Sequence, residues 1–132
     1  MARDSDRAWA RRAVQSRAVS PAAFERAVAV VLDGVDGWWA APTARSRDRG
    51  VDVVVGVGDR RVGVQAKQYG PSRAVSAPEV RECAGSRDEL GFDGFLVVTT
   101  GRFSEPARRA AAALDVGLLG SEDLLRWHDG AD

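Results

Sequence analysis

Val51-Asp52-Val53-Val54-Val55-Gly56-Val57-Gly58-Asp59-Arg60-Arg61-Val62-Gly63-Val64-Gln65-Ala66-Lys67 is the stretch on which the reading of this chain turns. Two valine-rich runs flank a short Gly/Asp turn. β-Branched residues suit a pleated, half-buried surface, and Gly and Asp tolerate the positive φ of a tight turn, so the stretch predicts a β-hairpin. Alternation along the first strand puts Val51, Val53, Val55 and Val57 on one face and Asp52, Val54 and Gly56 on the other. A two-residue loop at Asp59-Arg60 pairs Gly58 with Arg61 and sets Asp52 across from Lys67. Their Cβ atoms are then roughly 4.5 to 5.5 Å apart, with Gln65 one step along the same face. A loop one residue longer shifts that register.

Working outward on the N-terminal side, Ser20-Pro21 has the form of a helix start, with Ser as N-cap and Pro in the first turn. Phe24, Ala27, Val28 and Val31 follow at helical spacing, and Asp33-Gly34 ends the helix. Residues 1–19 are polar and rich in Arg and Ala, a lead-in expected to be helical or flexible, and the domain proper is expected over residues 20–132. Residues 38–41 predict a first strand stopped by Pro42. The charged segment 43–50 is a loop into the hairpin.

On the C-terminal side, Tyr69-Gly70-Pro71-Ser72 breaks the chain. Ser76 and Glu79 form a capping-box pattern for a helix carrying Val80, Cys83, Ala84, Arg87 and Leu90, with Gly85 expected to mark close backbone packing. Residues 95–99 are a continuous apolar run of strand length, expected to be buried on both faces. Ser104 caps an alanine-rich helix to Leu114, residues 116–119 form a last strand, and Ser121 opens a short helix through Trp127. Helices between strands require crossovers, so the order predicts an α/β domain with a mixed central sheet flanked by helices.

The 132 residues, 45% hydrophobic, suit one domain with a real core. No run approaches the 18 or so apolar residues of a membrane span, and no signal-like start is present, so the expectation is a cytoplasmic protein without a membrane partner. The one cysteine, Cys83, excludes an internal disulfide and a cysteine metal cluster, and reads as a small core residue. Net charge is zero, which does not indicate a globally basic nucleic-acid binder, yet arginine supplies nearly all the positive charge and comes in clusters such as Arg45, Arg47 and Arg49. No glycine fingerprint opens a helix, so neither a dinucleotide nor a nucleoside triphosphate is indicated. His128 is expected to be exposed and without a role.

The polar residues of the hairpin carry the chemistry. Mg²⁺ takes oxygen ligands, from one or two carboxylates plus waters and substrate phosphate. Asp52, the Gln65 amide oxygen and the Ala66 main-chain carbonyl offer three. Lys67 beside them is placed to orient or deprotonate an attacking water, or to neutralise charge developing on phosphorus. The alternative is a solvent-facing salt bridge between Asp52 and Lys67 on an edge hairpin.

Asp48-Arg49-Gly50-Val51-Asp52, followed by Gln65-Ala66-Lys67-Gln68-Tyr69 and then by Thr99-Thr100-Gly101-Arg102-Phe103-Ser104 with Ala107 and Ala110, resembles the Mrr-like restriction endonuclease domain of the PD-(D/E)XK nuclease superfamily. The resemblance covers about residues 23–127. It implies a restriction-endonuclease-like αβββαβ core, Asp52 as principal metal ligand, Gln65 where many relatives carry Glu, Lys67 as catalytic lysine, and Glu25 as the helical acid that completes such sites. It further implies a type IV (Mrr-like) DNA endonuclease dependent on Mg²⁺ or Mn²⁺. Arg45, Arg47 and Arg49 alternate with small or acidic residues in the loop before Asp52 and are expected, with Thr100 and Arg102, toward the DNA, and a homodimer is expected because cutting two strands needs two sites. Members of this type often carry a separate DNA-recognition domain, which these residues are not expected to hold. Two other functions stay open: a structure-specific nuclease acting on junctions or single strands, and a catalytically silent DNA-binding module.

Overall fold

The computed structural model describes residues 4–16, 19–43 and 50–130. Its elements are α1 (Asp4–Ser16), α2 (Pro21–Asp33), β1 (Trp38–Pro42), β2 (Val53–Val57), β3 (Arg60–Lys67), β4 (Ala74–Val75), α3 (Ala77–Leu90), β5 (Gly94–Thr99), β6 (Arg102–Phe103), α4 (Glu105–Leu114), β7 (Gly117–Leu119) and α5 (Ser121–His128). The central sheet has the order β1-β2-β3-β5-β7. Its first three strands are antiparallel neighbours, whereas β3, β5 and β7 run parallel. The expected α/β class with a mixed sheet and an αβββαβ core is the observed one. Local signals set the helix starts: Ser20 Oγ accepts from the Ala23 amide at 3.1 Å, Ser104 Oγ from the Ala107 amide at 3.0 Å, and Ser76 and Glu79 make both halves of a capping box.

The core lies on both faces of the sheet. Phe24, Val28 and Leu32 of α2 pack on Val53, Val55 and Val64 on one face. On the other, Val80 and Cys83 of α3 and Ala107 of α4 pack on Phe95 and Val97. α1 joins the first layer through buried Ala10, Ala13 and Val14, and it is tied to the C-terminal helix by polar contacts. Arg7 Nη2 donates to the His128 carbonyl at 2.7 Å, His128 Nε2 lies 2.8 Å from the Arg7 carbonyl, and Arg11 makes two bonds to Asp129. His128 is therefore not the exposed residue expected, since its side chain keeps only 11% of its surface.

Three further expectations are corrected. The hairpin loop is Gly58-Asp59, because Val57 pairs with Arg60 and Gly56 with Arg61, two residues away from the anticipated register. Asp52 consequently does not fall across from Lys67. Second, Val53 pairs with Val64 while the Asp52 amide also donates to the Val64 carbonyl at 2.8 Å, so two residues of one strand face one of the other, as in a β-bulge. The bulge breaks the alternation: Val51 packs with the α3 and α4 layer, whereas Val53 and Val55 pack with α2. Third, Gly85 marks no close packing, for no atom lies within 4 Å of where a Cβ would stand, and Leu90 is exposed while Arg87 reaches back to the Leu114 carbonyl at 2.6 Å.

Candidate active site

The bulge and the end of β3, the central strand, together build a polar cluster at one end of the sheet. By interrupting the ladder at Asp52, the bulge turns this side chain toward β3, where its Oδ2 accepts from the Ala66 amide at 2.8 Å. The residue keeps 5% of its surface, so the solvent-facing salt bridge is not what the fold makes. Gln65 is clasped between two partners: its Nε2 donates to the Gly50 carbonyl at 3.0 Å, and its Oε1 accepts from the Cys83 thiol at 3.3 Å. Gly50 permits this approach, having φ of +76° and a position where a Cβ would stand 2.7 Å from Gln65 Nε2. Burial first, then nearby carboxylates, push the Cys83 thiol up to about 12 against the pull of Lys67, so Cys83 stays protonated and a donor.

Lys67 leans toward α3. Its Nζ lies 3.0 Å from Glu79 Oε2 and 5.6 Å from the centre of the Tyr69 ring. Burial works against the charged ammonium, but the bond to Glu79 and the attraction of Tyr69 and Glu79 outweigh it, and the pKa is raised. Glu79 also accepts from the Tyr69 hydroxyl and from the Ser76 amide and hydroxyl, at 2.8 and 3.0 Å for the last two. Burial alone would raise its pKa; the hydrogen bonds from Tyr69 and Ser76 and from Lys67 overcome this and lower it to about 2. At neutral pH the cluster therefore holds a lysine ammonium on a carboxylate.

The Thr-Thr-Gly signature braces this lysine from behind. Thr99 Oγ1 donates to the Lys67 carbonyl at 2.7 Å, the Thr100 amide to the same oxygen at 3.3 Å, and Thr100 Oγ1 to the Tyr69 carbonyl at 2.7 Å. A Cβ on Gly101 would stand 2.4 Å from the Arg73 carbonyl, so only glycine lets the two segments meet. Thr100, anticipated as a DNA contact, is 1% exposed and works as this brace. Arg102 is exposed and donates to the Ser72 carbonyl at 2.9 Å.

The structure thus brings Asp52, the Ala66 backbone, Gln65 and Lys67 together at one end of the sheet. Glu25 sits on α2, partly buried beside Phe24, and α2 covers the sheet face opposite α3. Among the described residues no group of three or more His, Cys, Asp or Glu side chains is placed to hold a metal ion. Arg45, Arg47 and Arg49 lie outside the described residues. Glu79 and Tyr69 were not foreseen as site residues. In the sequence Glu79 shows only its capping role, and nothing in spacing reveals that the turn after Lys67 returns the chain so that the same carboxylate meets the lysine.

A profile of the Mrr catalytic domain, described as restriction endonuclease, matches residues 16–128. No curated protein sequence matches the chain. Among solved structures it is similar to protein AF1548, of unknown function, with a TM-score of 0.68 and 18% identity over 81% of this chain and 66% of that one. It is similar also to the DNA modification-dependent restriction endonuclease AspBHI, with a TM-score of 0.65 and 20% identity over 99% of this chain and 37% of that one. A third is the MspJI restriction endonuclease in complex with a 27-mer oligonucleotide, with a TM-score of 0.63 and 23% identity over 96% of this chain and 32% of that one. The chain spans about a third of the length of both endonucleases. Likeness at such identities shows the fold, and the profile match over most of the chain shows the family: this chain belongs to the Mrr-type restriction endonuclease catalytic-domain family.

Proposed function

We propose that the chain is the catalytic domain of a type IV (Mrr-like) DNA endonuclease, hydrolysing phosphodiester bonds with Mg²⁺ or Mn²⁺ as cofactor. The observation that carries this reading is the pairing of a nearly buried carboxylate with a clamped ammonium: Asp52 rests on the Ala66 amide at 2.8 Å, and the next residue of β3, Lys67, is held by Glu79 at 3.0 Å. The donor set suits a hard cation, being all oxygen: the Asp52 carboxylate, the Ala66 carbonyl and the Gln65 amide oxygen, with Glu25 of α2 as the acid that the family resemblance would add. When bound, the ion supplies Lewis-acid polarisation of phosphate and water.

The chain's own residues do the rest. Lys67, held on Glu79, is placed to neutralise the negative charge that grows on phosphate oxygens as the bond breaks. Glu79 and Tyr69 aim its Nζ, and Thr99 and Thr100 fix its backbone. Asp52, held by Ala66, keeps a defined orientation. DNA is the partner, with Arg45, Arg47, Arg49 and Arg102 toward its phosphates, and a homodimer would present one such site to each strand. Cleavage of cellular or incoming DNA places the protein in the cytoplasm; among the described residues no helix is long and apolar enough to cross a membrane.

The test is incubation with supercoiled plasmid, methylated and unmethylated, with Mg²⁺ or with chelator. Nicking or linearisation that chelator abolishes supports the reading. Cleavage of branched but not linear duplex would replace it by a structure-specific nuclease, and DNA binding without metal-dependent nicking by a silent module.

A further inference from the structure

Three arginines from three separate elements, Arg102 on β6, Arg108 on α4 and Arg126 on α5, converge on one groove of about 500 Å³. Gly101, Gly120 and Ser121 are the small residues of its lining. All three arginines are exposed. Arg102 spends one donor on the Ser72 carbonyl, Arg108 lies 5.7 Å from the Phe103 ring centre, and Arg126 pairs with Asp123. A guanidinium has five N–H donors, so these contacts leave the forks able to take phosphate. Two carboxylates also line the groove: Asp123, already committed to Arg126 and to the Gly120 amide at 2.9 Å, and Glu122. Ser121 Oγ is buried in the groove lining and, among the described residues, has no hydrogen-bond partner.

The groove has a definite relation to the catalytic end of the sheet. Gly101 follows closely on Thr99, the residue of β5 that pairs with Lys67, and Gly120 directly follows β7. The groove therefore opens at the end of the sheet where Lys67 sits. Two strand spacings separate β3 from β7, about 10 Å. Phosphates of one DNA strand advance about 3.4 Å along the axis per nucleotide. A strand whose scissile phosphate lies at Lys67 thus presents to the groove the phosphates roughly three nucleotides away.

We infer that this groove is a phosphate-backbone site for the DNA strand flanking the bond that is cut. The inference rests on the nuclease reading and adds to it a second anchor that sets where the strand runs. Arginines here contact phosphate and not base edges, so the site contributes affinity without sequence preference.

The experiment measures binding of a fluorescent duplex in chelator, so that nothing is cut, from about 50 to 200 mM salt. The double variant Arg108→Ala/Arg126→Ala is expected to bind unrelated sequences more weakly to the same extent, and to flatten the slope of log affinity against log salt by about 1.8, or 0.9 for each lost phosphate contact. Arg108→Lys/Arg126→Lys, which keeps the charge, is expected to restore the slope. Glu122→Gln, which removes negative charge from the groove wall and leaves every arginine in place, is expected to tighten binding. An unchanged slope in the alanine pair, or no tightening with Glu122→Gln, overturns the groove while leaving the nuclease reading intact if wild type still nicks plasmid. Wild-type protein that neither binds duplex nor nicks overturns both.

Discussion

Glu79→Gln is the most informative single substitution, because it keeps shape and removes only the charge on which Lys67 rests. The Glu79 pKa falls from 4.5 to about 2, and at about 1.4 kcal/mol per unit this depression would represent about 3.4 kcal/mol. Water still reaches a carboxylate that retains 22% of its surface, and allowing for that screening leaves about 1 to 2 kcal/mol. A folded pKa below the ordinary one means that folding releases protons between about pH 2 and 4.5. The stabilisation is therefore complete above about pH 4.5 and disappears as pH falls toward 2. Urea unfolding should show Glu79→Gln less stable than wild type by about 1 to 2 kcal/mol at pH 7, equivalent to several degrees in Tm, with the gap closing on acidification. Nicking should fall about 10- to 100-fold at unchanged DNA affinity, because the lysine loses its anchor. Equal stability at pH 7, or a gap that does not narrow below pH 4, would refute the charge clamp.

The remaining expectations follow from the same geometry. Lys67→Ala should abolish nicking with duplex binding retained, and cleavage within a few-fold of wild type would remove Lys67 from the chemistry. Asp52→Asn, which can still accept from the Ala66 amide, should lose activity with stability nearly kept, whereas Asp52→Ala should cost a further 1 to 3 kcal/mol or so by leaving that amide unpaired; identical denaturation midpoints for the two would contradict the bond. Mg²⁺ should raise the Tm of wild type but not of Asp52→Asn, by preferential binding to the folded state, and calorimetric melts with and without the ion decide this. Gly101→Ala should destabilise by about 1 to 3 kcal/mol, since its methyl meets the Arg73 carbonyl at 2.4 Å, and a wild-type Tm would show that the two segments separate freely.

Most of the fold was legible because its signals are local. Ser-Pro and Ser-x-x-Glu starts announce α2, α3 and α4 within a few residues of the bonds that cap them, and valine runs separated by Gly/Asp announce the hairpin whatever its register. The short pairs β4 and β6 carry no such pattern at two residues each and exist only because the Thr-Thr-Gly segment folds back on residues 70–75. α1 has weak periodicity, and its burial comes from α2 and α5, elements remote in the chain.

For the site, residue types alone named Asp52, Gln65 and Lys67 as the polar residues set within the valine-rich strands of the hairpin. What tertiary structure decided was how they face one another. Strand register depends on turn geometry, so a loop at Asp59-Arg60 in place of the observed Gly58-Asp59 sets Asp52 opposite Lys67, and the single extra residue of the bulge further turns Asp52 onto the Ala66 amide. Likewise the Glu79 carboxylate, legible as a helix cap, becomes the partner of Lys67 only when α3 packs against the sheet. Local hydrogen bonding and hydrophobic period act over a few residues and are written in the sequence; the protonation and aim of the lysine depend on contacts between segments that only packing brings together.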